Sequence, residues 1–251
     1  MPREIDRRLI ILPLSPWSER ARWALDHHQL PYQKIIHAPF LGERRLRRLV
    51  GPQKPRVTVP VLLVGDQVLS ESWDIALYAE REGRGAPLIP PERAAEIRGW
   101  NDRADEVMAV GRALVMGAML ASPEALDESL PPAVPGWLRP LLRPVTGYGS
   151  RWFARKYGLR LDQAPAQVAQ IRAALQALRT ALAASSPYLL GRFSYADIAT
   201  ATSLQGIAPV ADHHLRLGPA TRRAWTNEEL KAEFPDLLAW RDRIYDQHRR
   251  P

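Results

Sequence analysis

The sequence predicts an α/β domain followed by an all-helical domain. Three observations carry this reading. Strand-like and helix-like segments alternate through the first part of the chain. Glycine and proline then cluster from Gly83 to Pro91. Beyond that cluster every periodic segment has the spacing of a helix. The predicted boundaries are 1–83 for the first domain, 84–91 for a linker and 92–251 for the second domain.

Leu9–Leu14 is an apolar run and reads as a buried strand. Pro16–Gln29 follows as a helix, with Trp17, Arg20, Ala21, Ala24, Leu25 and His28 on one stripe, and Pro31 stops it. Tyr32–His37 is the second strand. Gly42–Val50 reads as a short irregular helix, and Gly51, Pro52 and Pro55 mark a loop. Val61–Val64 is an apolar strand, Gly65-Asp66 a turn, and Gln67–Leu69 the returning arm of a hairpin. Ser72–Glu82 is helical, so a mixed sheet carries helices around it.

In the second domain, Glu92–Leu120 reads as one long helix or two. Residues 121–146 contain Pro123, Pro131, Pro132, Pro135, Pro140 and Pro144, and read as a loop with short helical pieces. Arg151–Gly158 is a short helix and Gln167–Ala184 an amphipathic one. Tyr195–Ile207 is apolar all round and therefore buried. Asn227–His248 supplies the last helices, broken at Phe234-Pro235.

Composition narrows the function classes. With 251 residues, 46% hydrophobic and 25% charged, the chain can bury a real core. The longest apolar stretch, Val107–Ala121, is interrupted by Arg112, so no membrane span is expected. The N-terminus lacks the apolar core of a signal peptide, and the expected location is cytoplasmic. Cysteine is absent, which excludes disulfides, thiolate metal sites and a cysteine nucleophile; any thiol must arrive with a ligand. The net charge is +8, with 35 basic residues of which four are lysine. They are spread at helical spacing, which suits a solvated surface with a mild preference for anionic ligands rather than nucleic acid. The pairs His27-His28 and His213-His214 show no metal-ligand spacing with acid partners, so no metal is expected.

Four motifs carry chemistry. The first is S-P-W-S-E-R-A-R-W-A-L, residues 15–25, at a strand-to-helix junction. Unpaired N–H groups and the helix dipole favour an anion there, and a hydroxyl can donate to a thiolate and lower its pKa. Ser15-Pro16 also suits a plain N-cap with proline at the first helical position. The second is Thr58-Val59-Pro60-Val61-Leu62, a proline just before a strand. The third is Ser70-Glu71-Ser72, eleven residues after Pro60, opening a helix. A helix N-terminus suits a carboxylate and an acid suits an ammonium; a capping serine with an acidic neighbour is the structural alternative. The fourth is Gly191-Arg192-Phe193-Ser194-Tyr195-Ala196-Asp197-Ile198, a capping box whose Asp197 serves folding.

In their order and spacing these motifs resemble the cytosolic glutathione S-transferases, with a first motif similar to that of the serine-type, tau-like and zeta-like members. The resemblance covers nearly the whole chain. It implies a thioredoxin-like N-terminal domain and an all-helical glutathione-transferase C-terminal domain. The two serines stand where redox relatives keep cysteines, and Ser18 is expected to cap the helix. The resemblance implies Ser15 as the catalytic residue that stabilises the glutathione thiolate. Trp17, Val59, Pro60, Glu71 and Ser72 would bind glutathione, with Val59-Pro60 a cis bond that turns Val59 toward the cysteinyl part. Glutathione is the implied co-substrate, and its partner a small hydrophobic electrophile, held by Trp17, the first-domain loops and helix Glu92–Leu120. A homodimer is implied, with no nucleic acid and no membrane. The alternative is a non-catalytic ligand-binding protein of the same fold.

Two departures stand out. The loop before Val59-Pro60 is about two residues longer than the family's, so the group that grips the glycyl carboxylate is open among Arg44, Arg45, Lys54 and Arg56. Residues 121–160 are also longer than usual, and Trp137, Leu138, Leu141 and Leu142 would either roof an apolar pocket or pack as a satellite cluster.

Overall fold

A computed structural model describes residues 6–39, 41–51, 57–131 and 133–249. Four strands form one mixed sheet in the order β2-β1-β3-β4. β1 (Arg7–Ile11) runs parallel to β2 (Gln33–Ile36), with Ile10 opposite Ile35. β3 (Val61–Val64) is antiparallel to β1, with Leu9 opposite Leu62, and β4 (Gln67–Leu69) returns as a hairpin. Alternation along the strands sorts the side chains between two faces. Leu9, Ile11 and Leu62 join the main core with α1 (Pro16–His27) and α3 (Ser72–Glu82). Ile10, Val61 and Leu63 point the other way and meet Leu46 of α2 (Glu43–Val50).

β1 lies earlier than the apolar run suggested. Arg7 takes an interior place because its Nε donates to the Tyr78 hydroxyl at 2.9 Å. The strand stops at Ile11 because Pro13 has no N–H and the Leu12 N–H turns to Ser18 Oγ at 3.2 Å. α2 is a regular helix of eight residues, not an irregular one.

The connection from α3 is pinned rather than loose. The Leu88 N–H donates to Glu80 Oε2 at 2.9 Å, and the Leu88 carbonyl accepts from the Tyr195 N–H at 3.0 Å. Leu88 and Ile89 are buried, so this segment contributes to the core.

α4 (Ala94–Ala121) is a single helix of 28 residues. α5 (Pro123–Glu128) and α6 (Arg139–Tyr157) follow. α6 corrects the sequence reading, which placed loop through residue 146. Pro140 sits in the first turn, where its missing N–H costs nothing. Pro144 removes one ladder bond on the exposed side, while Arg143 grips Asp127 of α5 through two hydrogen bonds of 2.8 and 2.6 Å.

α7 (Ala164–Ser185) buries Ile171, Leu175, Leu178 and Leu182, and α8 (Tyr195–Ser203) is buried along its whole length. The capping box at its start is present: Asp197 accepts from Ser194 N, Ser194 Oγ and Leu189 N, each at 2.9 Å. Burial outweighs those bonds and pushes the Asp197 carboxyl up to about 6. α4 crosses the turn after α8 where Gly111 meets Gly206; a Cβ on Gly111 would stand 3.1 Å from the Gly206 Cα. α9 (Pro219–Trp225), which has no counterpart in the sequence reading, precedes α10 (Glu228–Glu233) and α11 (Pro235–His248). No helix among the described residues is long and apolar enough to cross a membrane.

The two halves share one core, and Arg20 sits at its centre. This fully buried residue of α1 donates from Nε to Thr202 Oγ1 at 2.9 Å and from Nη2 to the Ala199 carbonyl at 2.8 Å. Its Nη1 reaches Asn101 Oδ1 at 3.2 Å and Asp105 Oδ1 at 2.6 Å. A buried guanidinium is tolerable only with such a set of acceptors.

Candidate functional site

A cavity of about 780 Å³ opens between the sheet domain and the helices. Ser15, Trp17, Val59, Pro60, Glu71 and Ser72, far apart in sequence, all line it.

Local structure explains each position. Ser15 is the N-cap of α1, with Pro16 at the first helical position. Its Oγ accepts from the Ser18 N–H at 3.4 Å, a long bond that leaves the hydroxyl hydrogen available. Ser18, expected to cap the helix, is instead buried with its Oγ under the Leu12 N–H. The Trp17 indole donates to Asp105 Oδ1 at 2.8 Å, so the carboxylate that holds Arg20 also fixes this ring in the cavity wall. Val59-Pro60 is a cis peptide bond. Glu71 is the N-cap of α3 and Ser72 its first residue, which brings a second helix N-terminus to the same cavity.

The other wall is apolar. Met108, Val115, Met116 and Met119 of α4 and Phe153 of α6 supply most of it. Leu217, Gly218 and Trp225 close a further side. Glu128 faces the cavity, but its carboxylate is spent on α9: it accepts from Ala220 N at 3.0 Å and Thr221 N at 2.7 Å. Those N–H groups hold its pKa below the usual carboxylate value, against the opposing effect of burial. Gly218 permits this cap, because a Cβ there would stand 2.2 Å from Glu128 Oε2.

Several expectations are corrected. Trp137 and Leu141 neither roof the cavity nor pack as a satellite cluster; they are 75% and 69% exposed. Leu138 and Leu142 are half-buried and do not line the cavity either. The longer segment contributes instead through Thr146, Gly149, Ser150, Phe153 and Tyr157. Arg44 and Arg45 are exposed on α2 and away from the lining, while Lys54 and Arg56 lie outside the described residues. Both histidine pairs find an acid partner through the fold: His28 lies 3.0 Å from Glu80, and His214 and His213 lie 3.3 and 3.5 Å from Asp246. Of these, His213, His214 and Asp246 are close enough together to share a cation, but none of the three lines the cavity.

The sequence reading missed Arg112, Tyr157 and α9 as parts of the site. The signal for Arg112 was present, a lone charge inside the apolar run Val107–Ala121.

Residues 14–82 match the family model for the glutathione S-transferase N-terminal domain, and residues 150–243 the model for its C-terminal domain. Over 107 residues, 41% of this chain, the sequence is 32% identical to glutathione S-transferase U13 of Arabidopsis thaliana, and the match spans 47% of that protein's length. Solved structures share the fold. One is a glutathione S-transferase from Methylobacterium radiotolerans in complex with glutathione sulfonate, at TM-score 0.60 and 20% identity, covering 96% of this chain and 91% of that one. Another is the beta-etherase LigF from Sphingobium sp. strain SYK-6, at TM-score 0.63 and 20% identity, covering 98% and 96%.

Proposed function

Because the chain belongs to the glutathione S-transferase family, we propose that this cavity binds glutathione and activates its thiol for attack on a small hydrophobic electrophile. The observation that carries the reading is the meeting of two helix N-termini, Ser15 on α1 and Glu71-Ser72 on α3, beside cis Val59-Pro60 and against an apolar wall.

Each part has a role. The α3 N-terminus favours the γ-glutamyl carboxylate, and Glu71 accepts from the γ-glutamyl ammonium. Val59 pairs with the cysteinyl backbone. Ser15 donates to the sulfur, and the unpaired N–H groups of α1 add a positive field, so the thiol loses its proton near neutral pH. The sulfur lone pair then forms a bond to the electrophilic atom, and the leaving group departs with the pair it shared. Conjugation, dehalogenation, ether cleavage and peroxide reduction all begin with this step. Holding thiolate and electrophile in one cavity supplies the rest of the acceleration. A cytoplasmic homodimer is part of the proposal. Trp137, in the turn before α6, and Leu141, Val145 and Tyr148, exposed at helical spacing along α6, support an association surface.

Calorimetry with glutathione, together with thiolate absorbance against pH, tests the reading on wild type and Ser15→Ala. Wild type is expected to bind glutathione and lower its thiol pKa, and Ser15→Ala to raise it again. Absence of binding would sink the proposal. Binding without a thiol shift would leave a non-catalytic ligand-binding protein.

A further inference from the structure

Arg112 is the charged residue on the cavity-facing side of α4, among Met108, Val115, Met116 and Met119. Its guanidinium lies over the Trp17 ring, 4.8 Å from the centroid, and over the Tyr157 ring at 4.2 Å. Its Nε is buried with no hydrogen-bond partner among the described residues. Glu71 faces the same cavity from the N-cap of α3, and four further carboxylates on the surrounding elements are committed elsewhere. Asp105 is held by Arg20 and Trp17, Glu128 by α9, Asp127 by Arg143, and Glu43 by Lys156. Burial lowers the Arg112 pKa, and the Tyr157 hydroxyl acts the other way. Arginine nonetheless remains a cation in proteins.

A guanidinium taken from water without a counterion costs stability, and two ring faces repay only part of that cost. Contrast Arg20, which is fully buried and whose fork is filled by four acceptors, with Arg112, which is half-buried. Rings against the flat face leave the edge of the fork as the donor surface, and a planar carboxylate matches that edge. Met108, Val115, Met116 and Met119 flank it, and the same cavity holds Ser15 and, on the segment before α9, a second arginine, Arg216.

We propose that Arg112 selects the second substrate: an electrophile with an apolar body and a carboxylate, or an equivalent planar anionic group, that pairs with this guanidinium. The inference rests on the reading of the cavity as a glutathione transferase site, but its first test does not. Binding of 3,5-dinitrobenzoate and of 1,3-dinitrobenzene, which differ by one carboxylate, is followed by tryptophan fluorescence quenching without glutathione. Wild type is expected to prefer the benzoate. Arg112→Met is expected to cut that preference about tenfold or more, and Arg112→Lys to restore part of it. The unfolding midpoint of Arg112→Met should be unchanged or raised, since a half-buried cation with an unpaired Nε is removed. Should Arg112→Met fail to fold, Arg112→Gln gives the same comparison. An unchanged preference, or a large fall in the midpoint marking a structural role, overturns the proposal.

The second test is turnover with glutathione, comparing 4-chloro-3,5-dinitrobenzoate with 1-chloro-2,4-dinitrobenzene. The ratio of their kcat/KM values should fall with Arg112→Met by a similar factor. Equal losses on both electrophiles would place Arg112 on glutathione instead and overturn the assignment. If wild type fails to bind glutathione, the transferase reading falls, and the binding comparison still decides the role of Arg112.

Discussion

Replacing Arg20 by alanine tests whether the two halves are held by one buried cation. Four acceptors lose a donor, but unequally. Thr202 Oγ1 keeps its own donation to the Ile198 and Ala199 carbonyls, so those groups remain paired. Asp105 keeps the Trp17 indole and Asn101 Nδ2. Its charge loses its ion partner, but its side chain is 38% exposed and water can reach it. Asn101 Oδ1 loses its partner, and the vacated volume adds a cavity. Breaking a fully buried pair from one side costs about 3–5 kcal/mol; with partial hydration of Asp105 we expect about 3 kcal/mol. For a chain of this size that lowers the unfolding midpoint by roughly 6–12 °C. Urea unfolding followed by circular dichroism and by tryptophan fluorescence measures the loss and shows whether both halves report it together. Arg20→Lys should fall between, because an ammonium cannot fill a planar fork. A cost below about 1 kcal/mol would refute the reasoning, since the acceptors would then be satisfied without the guanidinium.

Other outcomes follow from the same structure. Asp197, with its folded pKa raised to about 6, binds its proton more tightly folded than unfolded. Its contribution is therefore greatest below the unfolded carboxyl pKa and is lost as pH rises through 6. The stability difference between wild type and Asp197→Asn should shrink from pH 4 to pH 7, by about 1–3 kcal/mol in urea titrations; a flat or growing difference contradicts the burial argument. Gly218→Ala should push Glu128 off the α9 N-terminus and cost about 1–2 kcal/mol by thermal unfolding, with Glu128→Gln nearly as costly and the two not additive. Full additivity would show that they act separately. Leu141→Arg should shift the chain toward monomer in light scattering at unchanged circular dichroism; an unaltered mass would remove α6 from the association surface.

Much of the first half was legible because its signals are local. Pro16 at a helix start, Pro31 after its end, the Gly65-Asp66 turn and the apolar quartet Val61–Val64 each act within a few residues. The six residues named for the site come from such junctions, and the fold brings them to one cavity. The stripe on α1 included Arg20, but nothing in the sequence names acceptors some eighty to one hundred and eighty residues away. α6 was misread because proline counts as a breaker wherever it falls, whereas Pro140 lies where no N–H is needed. Arg112 was seen only as an interruption of an apolar run; which side of α4 meets a void is set by helices that pack long after it in sequence.

The pinned connection at Leu88 also bears on how molecules come and go. Leu88 is tied through its N–H to Glu80 and through its carbonyl to Tyr195, and Arg20 joins the same two halves. A cleft between two lobes is often imagined to open like a clamshell, but here the hinge pin is welded. We expect traffic past the other rim, where α5, α6 and the segment before α9 line the cavity around Glu128 and Gly218. Amide exchange should accordingly be faster at that rim than at Leu88, and ligand escape would then be timed by a door at the edge rather than by the parting of the lobes.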